Sequence, residues 1–394
     1  MSEGFYARID GTLETLRLEG TYKTLRYVEG PVSAHADVEG VGRVLVMCSN
    51  DYLGFAAQPD LVAAGQAALF RYGAGAASVR FICGTSVLHR RLEERTAAFL
   101  GKEASLAYTS CWNANTAAIP ALLAAGDAVV SDELNHASLI DGCRAVGKDV
   151  RRLVYRHADL ADLERCLRET ADCGTRLVVT DGVFSMEGDI APLPGIVGLA
   201  RQYGATTLVD DSHATGVLGA TGRGTEEHYG LPGTVDIVTG TYGKALGGAG
   251  GGFVAARRPV VDLLVQRSRP SLFSNALPPV LTAIAQAAVE RLDKHPEAVR
   301  SLRKKAAYLR SALKEAGLHP LEGETAIVPL IVGETAKAIS LSARMLEKGL
   351  YAIGFGFPVV PEGAARIRLQ VSDALTYEDL DFAVRTVVET MREA

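Results

Sequence analysis

Residues 176–213 read RLVVTDGVFSMEGDIAPLPGIVGLARQYGATTLVDDSH, and the order of their parts decides the fold. RLVVTDG (176–182) and TTLVDDSH (206–213) are short β-branched runs, each ending in small or polar residues. Between them PGIVGLARQYG (194–204) reads as a helix, with proline near its start and glycine at its end. A strand, a helix and a second strand, with apolar runs suited to burial on both faces, predict a mostly parallel sheet covered by helices. The same texture extends outward. DAVVSD (127–132) and VDIVTGTYG (235–243) are runs of the same kind, SVLHRRLEERTAAFLG (86–101) is a helix stopped by Gly101, and EASLAYTS (103–110) is a strand running into a turn. The alternation holds from about Leu61 to Gly250.

Outside that stretch the pattern changes. Phe5, Tyr6, Ile9, Leu13 and Leu16 fall at helical spacing, so the chain opens with an amphipathic helix whose face must be buried elsewhere. GRVLVMCS (42–49) reads as a strand. After RPSLFSNALPP (269–279) comes a strongly helical stretch, broken at Pro296. It leads to strands near AIVPLIVG (326–333) and ARIRLQVS (365–372) and to helices near 335–348 and 376–392, the last with Thr376 as N-cap. The expected division is 1–48 as an N-terminal helix with short strands, 49–285 as a large α/β domain, and 286–394 as a smaller α+β domain.

Composition narrows the function classes. A net charge of −5 over 394 residues gives no general pull toward nucleic acid or an anionic membrane. The six cysteines never fall at C-x-x-C spacing, so no metal site and no disulfide framework is expected. The N-terminus carries Glu3, Arg8 and Asp10 and no apolar core, unlike a secretory signal. TAAIPALLAAG (116–126) is too short to span a bilayer and is interrupted by Pro120. A cytoplasmic protein without membrane or nucleic-acid partners is expected.

Ligands of open parallel sheets bind beyond the carboxyl ends of the strands. Four such ends carry reactive groups: Asn135 and His136 after DAVVSDEL, Ser185 after RLVVTDGVF, Asp210 and His213 after TTLV, and Lys244 after VDIVTGTY. Lys244 stands in TGTYGKALGGAGGG (239–252), where half the residues are glycine. This is not a nucleotide loop. Val238 occupies the first glycine position of the Walker pattern and Ala245 follows the lysine, while Phe253 and Ala255 defeat the dinucleotide fingerprint. Singly, each residue has an ordinary explanation: a solvated lysine, a hydrogen-bonded histidine, a turn-capping serine, a loop carboxylate. Together they suit carbanion stabilisation by pyridoxal phosphate (PLP). An amine captures the aldehyde, a carboxylate keeps the ring nitrogen protonated, and an imidazole lies on the ring or by its phenolic oxygen. TSCWNAN (109–115), a turn entering a helix, suits the phosphate. The glycines give room to an approaching backbone and a moving lysine.

The segments SVRFICGT, SDELNHAS, VTDGVFSMEGDIAPL, VDDSHATGVLGATGRG, TGTYGKALGGAGGG, QRSRPSLFSN and ARIRLQVS occur in that order. Taken together, from about residue 4 to residue 390, they resemble the α-oxoamine synthase family of fold-type-I PLP enzymes. The resemblance implies a large domain with a mostly parallel seven-stranded sheet and a smaller α+β C-terminal domain. It matches Lys244 with the Schiff-base lysine, Asp210 with the partner of the ring nitrogen, His213 with the histidine near the phenolic oxygen, and His136 with the ring-stacking histidine. Ser185 matches a hydroxyl beside the cofactor, and Cys111, Trp112 and Thr241 match phosphate ligands. Ser274 and Asn275 match residues given to the neighbouring subunit's phosphate, which implies a homodimer with active sites at the interface. Asn50 and Arg368, with His136, match groups that hold the amino-acid substrate. From the residues alone, Arg368 reads as a surface ion pair. Trp112 stands where a smaller aromatic is usual and Asp51 where asparagine is common.

The finer match in RFICGT, GKALGGAGGG and RSRPSLFSN implies an acyltransferase joining glycine to acetyl-CoA, alongside a threonine dehydrogenase. The alternatives are alanine with pimeloyl-CoA, as in 8-amino-7-oxononanoate synthesis, or a broad acyl range. A non-catalytic scaffold is disfavoured because Lys244, Asp210 and both histidines are present.

Overall fold

The larger sheet has seven strands: β1 (Ala104–Tyr108), β2 (Ala128–Asp132), β3 (Arg151–Tyr155), β4 (Arg176–Asp181), β5 (Thr206–Asp210), β6 (Ile237–Thr241) and β7 (Gly252–Ala256). Their spatial order is β1-β7-β6-β5-β4-β2-β3. Pairings among β2 to β6 are parallel, whereas β7 runs antiparallel to both β1 and β6. The coordinates are a computed structural model describing residues 2–393. The sheet is the one the alternation predicts, with two additions. Strand β3 begins with two exposed arginines at the sheet edge, and β7 is an alanine-rich run directly after the glycine loop.

Side chains alternate across the sheet, so neighbours in one strand serve opposite layers. Val129 and Val179 pack with Ala118 and Ile119 of α1 (Cys111–Leu122) and Leu139 of α2 (Ala137–Arg144). Val130 and Val178 face the other way, toward Leu163 and Leu167 of α3 (Leu160–Glu169) and Ile196 of α4 (Leu193–Tyr203). These central strands are buried on both sides, which is why they read as continuous apolar runs. Helix α4 starts after Pro192 and ends on Gly204, whose left-handed φ of 61° lets its N–H close back on Ala200 and Arg201.

Two compact units result: Asn50–Ser185 with Asp189–Arg303, and Met1–Ser49 with Met186–Gly188 and Lys304–Ala394. The expected separate N-terminal stretch is therefore part of the second unit. Leu45 and Val46 pair parallel with Leu350 and Tyr351, and the Gln370 N–H donates to Met47 O at 2.8 Å. The boundary also moves from 285 to 303, because the helix Pro279–Lys294 stays with the first unit. In the second unit an antiparallel sheet places Ala365–Gln370 between Ile327–Gly333 and Ile353–Phe355. The opening helix, Ser2–Leu18, forms, but Phe5 and Tyr6 on its stripe remain 52% and 62% exposed within the single chain. Among the described residues no helix is long and apolar enough to cross a membrane.

Candidate active site

Asp181 and Asp210, the last residues of β4 and β5, are aligned across the sheet, and Thr239 of β6 pairs with Asp210 two residues before that strand ends. Asp210, the last residue of β5, is buried. One carboxylate oxygen accepts the Ser212 N–H at 2.8 Å, and the other accepts Asn115 Nδ2 at 2.6 Å. The Cys111 thiol stands 3.6 Å from it. Burial first, and then the Asp210 charge, push the Cys111 thiol well above its ordinary range.

His136 caps α2. Its backbone N–H donates to Asp181 at 2.7 Å, and its ring meets Trp112 edge-on, with centroids 5.9 Å apart. Burial lowers the imidazole pKa, Asp210 raises it and Lys244 lowers it. Lys244 and Asp210 thus act on both His136 and Cys111, which brings four expected site groups into one electrostatic environment. His213 is buried with Nδ1 2.7 Å from the hydroxyl of Tyr52, itself fully buried. Asp51, next in sequence, is occupied structurally: its carboxylate accepts the Phe55 and Ala56 N–H groups at 2.8 and 3.1 Å.

The glycine loop between β6 and β7 explains itself at its far end. Thr241 Oγ1 donates to Gly251 O at 2.9 Å and accepts the Gly243 N–H at 3.0 Å, so this hydroxyl shapes the loop. The Gly248 N–H donates to Lys244 O at 2.9 Å. Gly251 has φ 104°, and a Cβ at Gly252 would lie 2.3 Å from Cys111 N. The loop therefore runs directly against the first turn of α1, where Ser110 caps Asn113 N at 3.1 Å. The first N–H groups of a helix have no intrahelical acceptor, the general feature that suits such a turn to an anion. Gly252→Ala must displace this turn. The expected result is at least about tenfold weaker binding of a phosphorylated aldehyde, or ~1.4 kcal/mol, measured by titrating the apoprotein.

Ser185 lies in the turn after β4, which is fixed by a group the sequence did not signal. His157 bonds Asp132 at 3.0 Å and Asp189 at 2.9 Å, and its ring stands edge-on to Phe184 with centroids 4.3 Å apart. Burial alone would lower its pKa, but the hydrogen bonds to Asp132 and Asp189 outweigh burial and hold it up to about 10. A histidine raised in the folded state stabilises fully below its unfolded value of about 6.5, and that contribution is lost as pH rises through about 10. His157→Ala leaves Asp132 buried without its cation and should cost ~3 kcal/mol near pH 6. Melting curves of both proteins from pH 6 to 10 should show the difference shrinking.

Other expected residues stand on other elements. Ser274 closes the helix Arg269–Phe273, and Asn275 bridges antiparallel to Val79, so both belong beside the Arg80–Gly84 turn. Arg368 belongs to the second unit. It is 7% exposed, with Nη2 3.2 Å from Gln370 Oε1 and its guanidinium 4.4 Å from the Phe355 ring centroid, so it is not the surface ion pair suggested by residues alone. Asn50 opens the first unit. Sequence reading missed Asn115, Ser138, Asp181, Tyr52 and His157. Only Asn115 had a signal: it follows Cys111 by four residues and so shares its helix face.

The arrangement fits a phosphorylated aromatic aldehyde in its donor set: a buried carboxylate, two imidazoles, an amine and a helix N-terminus crossed by glycine backbone. The family model for aminotransferase class I and II matches residues 43–387. The chain is 46% identical over 98% of its length to the mitochondrial 2-amino-3-ketobutyrate coenzyme A ligase of Bos taurus, covering 91% of that protein. It is 45% identical over 98% of its length to the 8-amino-7-oxononanoate synthase of Geobacter sulfurreducens, covering 98% of it. Serine palmitoyltransferase from S. paucimobilis, solved with a bound PLP–myriocin aldimine, superimposes with TM-score 0.93 at 28% identity, over 99% of this chain and 98% of that one. The chain belongs to the aminotransferase class I and II family, in the α-oxoamine synthase branch that its motifs led us to expect.

Proposed function

We propose that the protein is a PLP-dependent acyltransferase that joins glycine to acetyl-CoA, giving 2-amino-3-oxobutanoate and free coenzyme A. The observation that carries this reading is the buried Asp210 carboxylate, fixed by Asn115 and Ser212, in the same electrostatic environment as Lys244 and His136. Relatives named 2-amino-3-ketobutyrate coenzyme A ligase, 44–46% identical over at least 96% of the chain, support the substrate pair. When bound, PLP supplies an aldehyde for the substrate amine and a ring that accepts the electron pair left at Cα.

Each residue then has a task. Lys244 Nζ would hold the aldehyde, and the same amine, when free, would be the base for the Cα proton of glycine. Asp210 keeps the ring nitrogen protonated. His213 orients the phenolic oxygen, with Tyr52 behind it, and Ser185 lies beside the cofactor. The N–H groups of Cys111 and Trp112, with Thr241, hold the phosphate. His136 covers the ring and donates a hydrogen bond to the oxygen that gains charge on the thioester. Arg368 and Asn50 hold the glycine carboxylate, the guanidinium by its two-pronged geometry. Ser274 and Asn275 reach the phosphate held by the partner protomer of a homodimer. The enzyme works in the cytoplasm, with a threonine dehydrogenase as functional neighbour.

The Geobacter relative supports a second reading, alanine with pimeloyl-CoA. One methyl group shifts the choice of amino acid by only about 1–3 kcal/mol; the same catalytic residues serve both readings, which differ in pocket size and in the carbon dioxide lost from the alanine product. Rates for glycine and alanine, each crossed with acetyl-CoA and pimeloyl-CoA, separate them. Glycine with acetyl-CoA is expected to have the highest kcat/KM by at least about tenfold, the lower end of that range. Preference for alanine with pimeloyl-CoA would overturn the choice.

A further inference from the structure

The groups behind the His136 ring determine which of its nitrogens carries hydrogen. Asn115, fully buried on α1, uses both amide hydrogens: one goes to Asp210 Oδ2 at 2.6 Å and the other to Ser138 Oγ at 2.9 Å. The amide has one orientation, because turning it over would set its oxygen against a carboxylate oxygen. Ser138 Oγ therefore accepts from Asn115, and its own hydrogen faces His136 Nδ1, 2.7 Å away. The backbone N–H of Ser138 also reaches Nδ1, at 3.2 Å. A backbone N–H can only donate, so Nδ1 is an acceptor and bears no proton.

We propose that Asn115 and Ser138 are positioning residues that lock His136 as the neutral tautomer with its proton on Nε2, presenting a fixed N–H donor to the acyl substrate. The lock is a single hydrogen-bonded chain from Asp210 through Asn115 and Ser138 to His136. Protonating Nδ1 would turn it from acceptor into donor against both groups of Ser138. Burial and the Lys244 charge oppose the imidazolium as well, while Asp210 favours it. The inference deepens the role given to His136 in the proposed function. The tautomer itself is a property of the chain without substrate or cofactor, so it stands or falls separately from the substrate assignment.

The test is nitrogen NMR of the apoprotein labelled with 15N-histidine, with the His136 signals assigned by their loss in His136→Gln. Wild type is expected to show an unprotonated Nδ1 and a protonated Nε2 at pH 7 to 8. Ser138→Ala removes the shorter of the two contacts to Nδ1 and keeps the backbone N–H, so it should add a minor Nδ1–H population beside the Nε2–H form, while Ser138→Thr keeps the wild-type pattern. An Nδ1–H tautomer or an imidazolium in wild type at pH 7 overturns the proposal. So does a folded Ser138→Ala whose His136 signals match wild type. Should Ser138→Ala fail to fold, the wild-type tautomer alone decides.

Discussion

Lys244→Ala is expected to reduce turnover of glycine and acetyl-CoA by more than about 10⁴-fold, since one amine serves as both covalent anchor and base. The substitution should leave the fold intact. The loop is held by backbone bonds, Gly248 N–H to Lys244 O and Tyr242 N–H to Gly251 O, and by Thr241, none of which needs the lysine side chain. The absorbance of the lysine imine should disappear together with activity, while the melting temperature stays within a few degrees. Lys244→Arg keeps the positive charge without a transferable proton near neutrality, so it should be as inactive as alanine. Activity retained in either variant would remove Lys244 from the chemistry.

Asp210→Asn has the next largest expected effect, about 10²–10³-fold in kcat, comparable with removing a preorganised electrostatic contact in other enzymes. The substituted amide retains shape but has one acceptor oxygen where the carboxylate has two, so it gives up the bond from Ser212 N–H or from Asn115, and it cannot keep a ring nitrogen protonated. A second consequence follows from charge alone. Asp210 raises the His136, Asp181 and Cys111 pKa values, so removing it should lower all three. NMR titration of His136 in the apoprotein gives that shift without reference to catalysis. A His136 midpoint that rises in Asp210→Asn would contradict the electrostatic account.

The sheet and its reactive rim were legible because burial on both faces leaves β2, β4, β5 and β6 as short apolar runs, each stopping at a polar or small residue. Strand β3 was not, since an edge strand with Arg151 and Arg152 exposed carries no continuous apolar signal. With β3 unseen, His157, placed just beyond it, had no reason to be read as part of the rim. The second unit illustrates another limit. Pairing of Leu45 with Leu350 joins residues some three hundred positions apart, and no local pattern encodes that partner. Ser138 and Tyr52 act through partners on other elements, so their single-residue identities are uninformative until the fold assembles them. Family resemblance supplied the pair Ser274 and Asn275, and Arg368, which residue type alone would have left as an ion pair.

The most direct measurement is reduction of the PLP-loaded protein with borohydride followed by peptide mapping. The account predicts one stoichiometric pyridoxyl label on Lys244. A label on another lysine, or a protein that remains colourless and unlabelled with PLP in excess, would contradict it.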